Sequence, residues 1–129
     1  MAMNPVVHFE MPYGDPKRVS KFYKAVFGWG MQYLPKMGSY VLAATSPMTK
    51  NNMHKNKGAI NGGFFPKGNY GNVPHVVISV DNLEKSMELV KKSDGKIAGK
   101  PMDIPGIGNF VMFVDTEGNR VGMLQPARM

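Results

Sequence analysis

The strongest constraint on this chain is an internal repeat. His8 stands in a short apolar run, Val6-Val7-His8-Phe9-Glu10-Met11, and His75 stands in another, His75-Val76-Val77-Ile78-Ser79-Val80. Each run has the length and the β-branched content of a strand. Each is followed by a helical pattern that stops at a glycine, Gly28 in one case and Gly95 in the other. The interval from histidine to glycine is 20 residues both times, and the two histidines are 67 residues apart. Self-similarity at a fixed offset means that one supersecondary unit occurs twice.

The pattern inside each unit predicts its elements. Asp15 is placed to cap a first helix, with Pro16 at the first helical position. Val19, Phe22, Tyr23, Val26 and Phe27 recur at helical spacing and make one apolar face, while Lys17, Lys21 and Lys24 fall away from it. Gly28 suits the left-handed residue that ends such a helix. For the second helix, Asp81 is the expected cap and Glu84 completes a capping box. Leu83, Met87 and Val90 form its apolar face, and Gly95 is its expected end. Three strand-like segments follow each helix, over roughly 31–34, 39–44 and 59–65, then 96–102, 109–114 and 120–125. Residues 115–119 read as a tight turn and 66–74 as the linker between halves. The stretch 45–58 is longer and polar, and reads as an exposed flap. The expectation is an α+β fold in which β-α-β-β-β occurs twice. It is one domain over 1–129, with modules at about 4–65 and 75–126. The two modules are expected to give a curved mixed sheet around a cavity, with the helices on the outside.

Composition narrows the chemistry. A chain of 129 residues is the size of one ordinary domain. It contains no cysteine, which removes disulfides, thiolate metal sites and a cysteine nucleophile. The 12 methionines read mainly as core filler. No apolar run is long enough to span a membrane, and the N-terminus lacks a signal-peptide pattern, so a cytoplasmic protein is expected. The net charge is +7 and the pI about 9.7. The cations are scattered, apart from Lys50, Lys55 and Lys57 with His54 in the polar loop. That distribution reads as a solvated surface, and a nucleic-acid or anionic partner is the least favoured reading. Gly106-Ile107-Gly108 is no dinucleotide fingerprint, because Val111 stands where a third glycine is needed.

The order and spacing of these pieces resemble the vicinal oxygen chelate superfamily, which includes glyoxalase I, bleomycin-resistance proteins and extradiol dioxygenases. His8 leading to Gly14-Asp15, Arg18, Phe22-Tyr23, Val26 and Gly28 looks like the family's first strand and helix. The run from His75 to Asp81 looks like its mid-chain strand, and Asp115, Gly118 and Asn119 look like its C-terminal hairpin. Phe27-Gly28-Trp29 and Gly118-Asn119-Arg120-Val121-Gly122 are most similar to a small bacterial branch of glyoxalase-related proteins. The resemblance implies four inward-facing metal ligands, one on the first and one on the last strand of each module. Carried over, they fall on His8, on Gly62 in Ile60-Asn61-Gly62-Gly63-Phe64, on His75 and on Gly122. Two of the four therefore have no side chain. Glu10, on the same side of its strand as His8, is the only local substitute.

The resemblance thus implies a protein that binds a small apolar or aromatic molecule, without a complete catalytic metal site and with no cofactor expected. Strand alternation places Tyr40, Leu42, Gly62 and Phe64 on the ligand face of the first module, and Phe110, Met112, Gly122 and Leu124 on that of the second. The two glycines are expected to enlarge the cavity, and Glu10 to serve as a general base or polar anchor. The alternative is a metal-dependent lyase, isomerase or dioxygenase in which His8, His75 and Glu10 hold Ni, Zn, Fe or Mn. Members of this superfamily are commonly homodimers, and a homodimer is expected here.

Overall fold

A computed structural model describes residues 3–47, 56–68 and 71–127. The order of elements is β1 (Val6–Tyr13), α1 (Pro16–Phe27), β2 (Gly30–Leu34), β3 (Tyr40–Ala44), β4 (Asn61–Pro66), β5 (His75–Ser79), α2 (Leu83–Lys92), β6 (Lys96–Ile104), β7 (Gly108–Val114) and β8 (Arg120–Pro126). The fold is α+β, and β-α-β-β-β does occur twice. The chain groups into two compact units, His8–Pro74 and a second made of His75–Met129 together with Met1–Val7. The start of β1 therefore counts with the second unit, where Ser79 N–H donates to the Pro5 carbonyl at 2.9 Å. Lys50, His54 and Lys55 of the polar loop lie outside the described residues, and Lys57 is exposed.

In the first unit the strand order is β2-β3-β4-β1. β2/β3 and β3/β4 are antiparallel, and β4/β1 is parallel. One face of this sheet carries a core of Tyr13, Val41, Ala43 and Phe64, packed by Val19 and Tyr23 of α1 and by Met11, Trp29 and Met31. Helix α1 begins as the sequence predicts. Asp15 accepts from Lys17 N–H at 2.9 Å and from Arg18 N–H at 3.1 Å. Gly28 ends it at φ 71, a conformation that costs glycine nothing.

The second unit has the order β5-β8-β7-β6. Its helix side holds Val80, Leu83, Val111 and Met123, joined by Ile78, Met87, Val90, Ile97 and Phe113. The capping of α2 differs from the sequence expectation at both ends. Asn82, not Asp81, is the N-cap, and its side chain accepts from Lys85 N–H at 3.0 Å. At the other end Asp94 takes the positive φ of 70, one residue before Gly95. Gly95 is needed for a different reason. A Cβ there would lie 2.8 Å from Val90 Cγ1 and 3.1 Å from the Val114 carbonyl.

Candidate functional site

Within the first unit, sheet register decides which side chains share the face away from α1. In the parallel β1/β4 pair His8 stands beside Asn61, Phe9 beside Gly62, Glu10 beside Gly63 and Met11 beside Phe64. In β3/β4, Val41 stands beside Phe64, Leu42 beside Gly63 and Ala43 beside Gly62. Residues side by side in a sheet point the same way. His8, Glu10, Tyr40, Leu42 and Gly63 therefore share one face, and Phe65 joins them by alternation.

This corrects two sequence expectations. The glycine on the His8 face is Gly63, not Gly62. Phe64 does not line that face, because it is 1 % exposed in the core and its ring lies 5.1 Å from that of Tyr23. The expected register was off by one residue in β4, and such a slip exchanges the two faces. The Gly-Gly pair gives no alternation by which to detect it. Gly62 does not enlarge a cavity either. A Cβ on it would collide with the ring of Phe9, which continues to Trp29 at 5.6 Å.

The polar centre of the face is a hydrogen-bonded chain. Tyr40 Oη donates to Glu10 Oε2 at 2.8 Å, and His8 Nε2 lies 2.8 Å from the same hydroxyl. A phenol has one proton. With that proton given to Glu10, the Tyr40 oxygen accepts from His8, which makes Nε2 the proton-bearing nitrogen. Glu10 is only 9 % exposed, a depth at which a carboxylate needs such a partner. His8 and Tyr40 are half-buried, and Leu42 on the same face is 38 % exposed. A second tyrosine holds the start of β3. Tyr13 Oη donates to the Ser39 carbonyl at 2.6 Å, next to Tyr40, and Ser39 itself sits at φ 57. Burial, with Tyr33 nearby, pushes the Tyr13 phenol up from its ordinary value, so it keeps the donated proton at neutral pH.

The second unit repeats the geometry with different chemistry. Phe110 pairs with Leu124 and Met112 with Gly122, as the sequence register predicts. Val77 stands beside Gly122 on the other side. Phe110, Met112, Gly122, Leu124 and Val77 thus share a face, and alternation along β5 adds His75, which is 6 % exposed. Gly122 again opens no space, since a Cβ on it would lie 2.7 Å from Phe110 Cε1 and 3.2 Å from Val77 Cγ2.

The four-ligand metal set implied by the resemblance does not fit these residues. Gly63 and Gly122 offer no donor atom, and the places where carboxylates would begin hold the rings of Tyr40 and Phe110. His8 Nε2 is engaged with the Tyr40 hydroxyl at 2.8 Å. Within either unit, among the described residues, no three His, Asp or Glu side chains gather as a metal cluster.

Comparison with known proteins bears on the family and the fold. Residues 6–123 match the model of the Glyoxalase/Bleomycin resistance protein/Dioxygenase superfamily. A glyoxylase-like domain-containing protein of Didymella fabae is 32 % identical over 118 residues, 85 % of this chain and 84 % of that protein. A mitochondrial methylmalonyl-CoA epimerase of Bos taurus is 33 % identical over 64 residues, 50 % of this chain and 37 % of the epimerase. Among solved structures, a variant of the Streptomyces coelicolor methylmalonyl-CoA epimerase, in complex with 2-nitronate-propionyl-CoA, superposes with a TM-score of 0.69. It does so at 10 % identity, over 98 % of this chain and 100 % of that one. The epimerase of Mycobacterium tuberculosis gives 0.68 at 12 % identity, over 99 % of this chain and 93 % of the other. At such identity these structures speak for the fold alone. The repeated β-α-β-β-β unit, the family match along most of the chain and the Didymella relative lead to one conclusion: this chain belongs to the glyoxalase/bleomycin-resistance/dioxygenase superfamily.

Proposed function

We propose that the chain binds a small apolar or aromatic molecule on the His8–Tyr40–Glu10 face of its first module, and that it does so without a divalent ion. The observation that carries this reading is the Tyr40 hydroxyl held between a buried carboxylate and an imidazole, on the face that also carries the exposed Leu42. Small-molecule sites combine apolar walls with a few fixed polar groups. Here Tyr40 and Leu42 supply apolar surface, and the hydroxyl with its two partners supplies the polar anchor. Glu10 acts through Tyr40, holding the phenol in one orientation. In the second module Phe110, Met112 and Leu124 supply apolar surface for the same class of ligand. Exposed lysines such as Lys17, Lys21, Lys85 and Lys91 make the basic excess a solvated surface charge.

The competing reading is a metal-dependent lyase, isomerase or dioxygenase that uses His8, His75 and Glu10. It has His8 and Glu10 serve a metal through Nδ1 and Oε1, or through the atoms that now meet Tyr40. The two readings part on the Tyr40→Phe variant. If the hydroxyl is the anchor, the variant binds aromatic ligands about fivefold to tenfold more weakly than the parent protein, the worth of one hydrogen bond. Titration calorimetry against a panel of aromatic small molecules measures this. If Tyr40→Phe instead takes up stoichiometric Ni, Zn, Fe or Mn that the parent refuses, the hydroxyl was holding back a metal site, and the enzyme reading takes precedence.

A further inference from the structure

We propose that Gly63 is the positioning residue of this face, because only a residue without a side chain lets Tyr40 reach across β4 to the two polar groups of β1. Tyr40 stands on β3, and His8 and Glu10 stand on β1, with β4 between them. Neighbouring strands are about 4.8 Å apart, so β3 and β1 are separated by about twice that. A tyrosine spans this distance only by lying flat on the sheet, and the ground it must cross is Gly63. Gly63 is the β4 residue beside both Glu10 and Leu42. A Cβ built on it would collide with the phenol, with Oη and Cζ as its nearest neighbours.

The second module uses the same device independently. Phe110 on β7 lies over Gly122 on β8, toward Val77 on β5. In both modules the aromatic residue sits two places before the residue paired with the glycine: Tyr40 before Leu42, and Phe110 before Met112. The two glycine-seated rings differ by one hydroxyl. That difference puts a hydroxyl at the centre of the first module's face and leaves the ring in the second without one. Gly63 therefore sets the chemical class of ligand that the first module takes, an apolar or aromatic molecule with one polar group that can bond a tyrosine hydroxyl.

The functional weight of Gly63 rests on the ligand-binding reading above, but its test needs no ligand. The readout is the set of NMR resonances of the His8 ring and of the His8 and Glu10 amides, recorded in the full chain at one fixed pH. Tyr40→Phe removes the hydroxyl that both residues touch and is expected to displace these resonances. Gly63→Ala is expected to displace the same resonances, and Gly63→Ala with Tyr40→Phe to match Tyr40→Phe alone. A Gly63→Ala protein with the parent resonances, or a Tyr40→Phe protein with unmoved ones, overturns the proposal. Should Gly63→Ala fail to fold, size complementation decides. Gly63→Ala in a Tyr40→Ala background is expected to unfold at the denaturant midpoint of Tyr40→Ala alone. A further loss there would show that the alanine clashes with something other than Tyr40, and would overturn it equally. Failure of every ligand to bind would sink the functional reading and leave these outcomes unchanged.

Discussion

Among single residues, the aromatic side chains of this chain divide by the face they occupy, and the division predicts different phenotypes. Phe64 is closed into the core against Tyr23. Its truncation in Phe64→Ala should cost about 3–5 kcal/mol in chemical denaturation, while leaving ligand affinity unchanged in whatever fraction stays folded. Tyr40→Phe should weaken ligand binding, with a smaller loss of stability because Glu10 loses the hydroxyl that bonds it. Gly122→Ala tests the seat of Phe110. The ring is 7 % exposed and has little room to retreat, so the variant should lose about 1–3 kcal/mol of stability. Gly122→Glu should be at least as costly and should bring no metal affinity in calorimetry with Zn or Ni. Strand alternation paired His8 with Glu10 and Tyr40 with Leu42, and the resemblance set the two pairs on one face. Gly63 was not, because two adjacent glycines give no signal of which way either would point. The bond between Tyr40 and Glu10 was also hidden, since it crosses an intervening strand and depends on register at β3/β4 and β4/β1 together.

At the scale of elements, the helices show how far local chemistry carries. The cap of α1 was readable because Asp15-Pro16 has only one good helical arrangement. At α2 two caps competed, Asp81 and Asn82, and the choice went to Asn82 by register. Leu83 N–H is already taken by Gln125 Oε1 at 2.8 Å, a contact from a distant strand. Asp15 also ties α1 to pH. The amides of Arg18 and then Lys17 hold its carboxyl below the ordinary value, and the nearby charges of the same two residues act in the same direction. The folded protein thus binds that proton less readily than the unfolded chain. The stabilisation is fully present above the unfolded value, near pH 4, and is lost as pH falls through the lower folded one. Asp15→Asn keeps a capping side chain and should flatten the acid limb of the stability–pH profile, while Asp15→Ala should lower stability at pH 7 as well. Denaturation midpoints between pH 2 and 7 measure both. An unchanged acid limb in Asp15→Asn would show that other carboxylates carry it.

At the scale of the whole molecule, the repeat was the most legible feature, because the two histidine-to-glycine intervals are equal and each carries its own strand and helix signals. The family followed from the order of those pieces. Helix α1 has no buried residue, and Phe22, Val26 and Phe27 remain 54 %, 56 % and 60 % exposed. Exposed apolar surface of that kind fits the homodimer expected for such a protein, and light scattering should give about twice 14.2 kDa at micromolar concentration. A monomer mass would refute it. Among the described residues no helix is long and apolar enough to cross a membrane. Whether the first module's face binds its ligand through a tyrosine hydroxyl or through a metal is decided by NMR titration of chelator-treated protein with a panel of aromatic small molecules, following the amides of His8, Glu10, Tyr40 and Leu42. Anchoring by the hydroxyl means that bound compounds shift these amides in the metal-free protein, and that adding Ni, Zn, Fe or Mn changes neither the shifts nor the affinity. Binding that appears only after one equivalent of metal is restored would refute it.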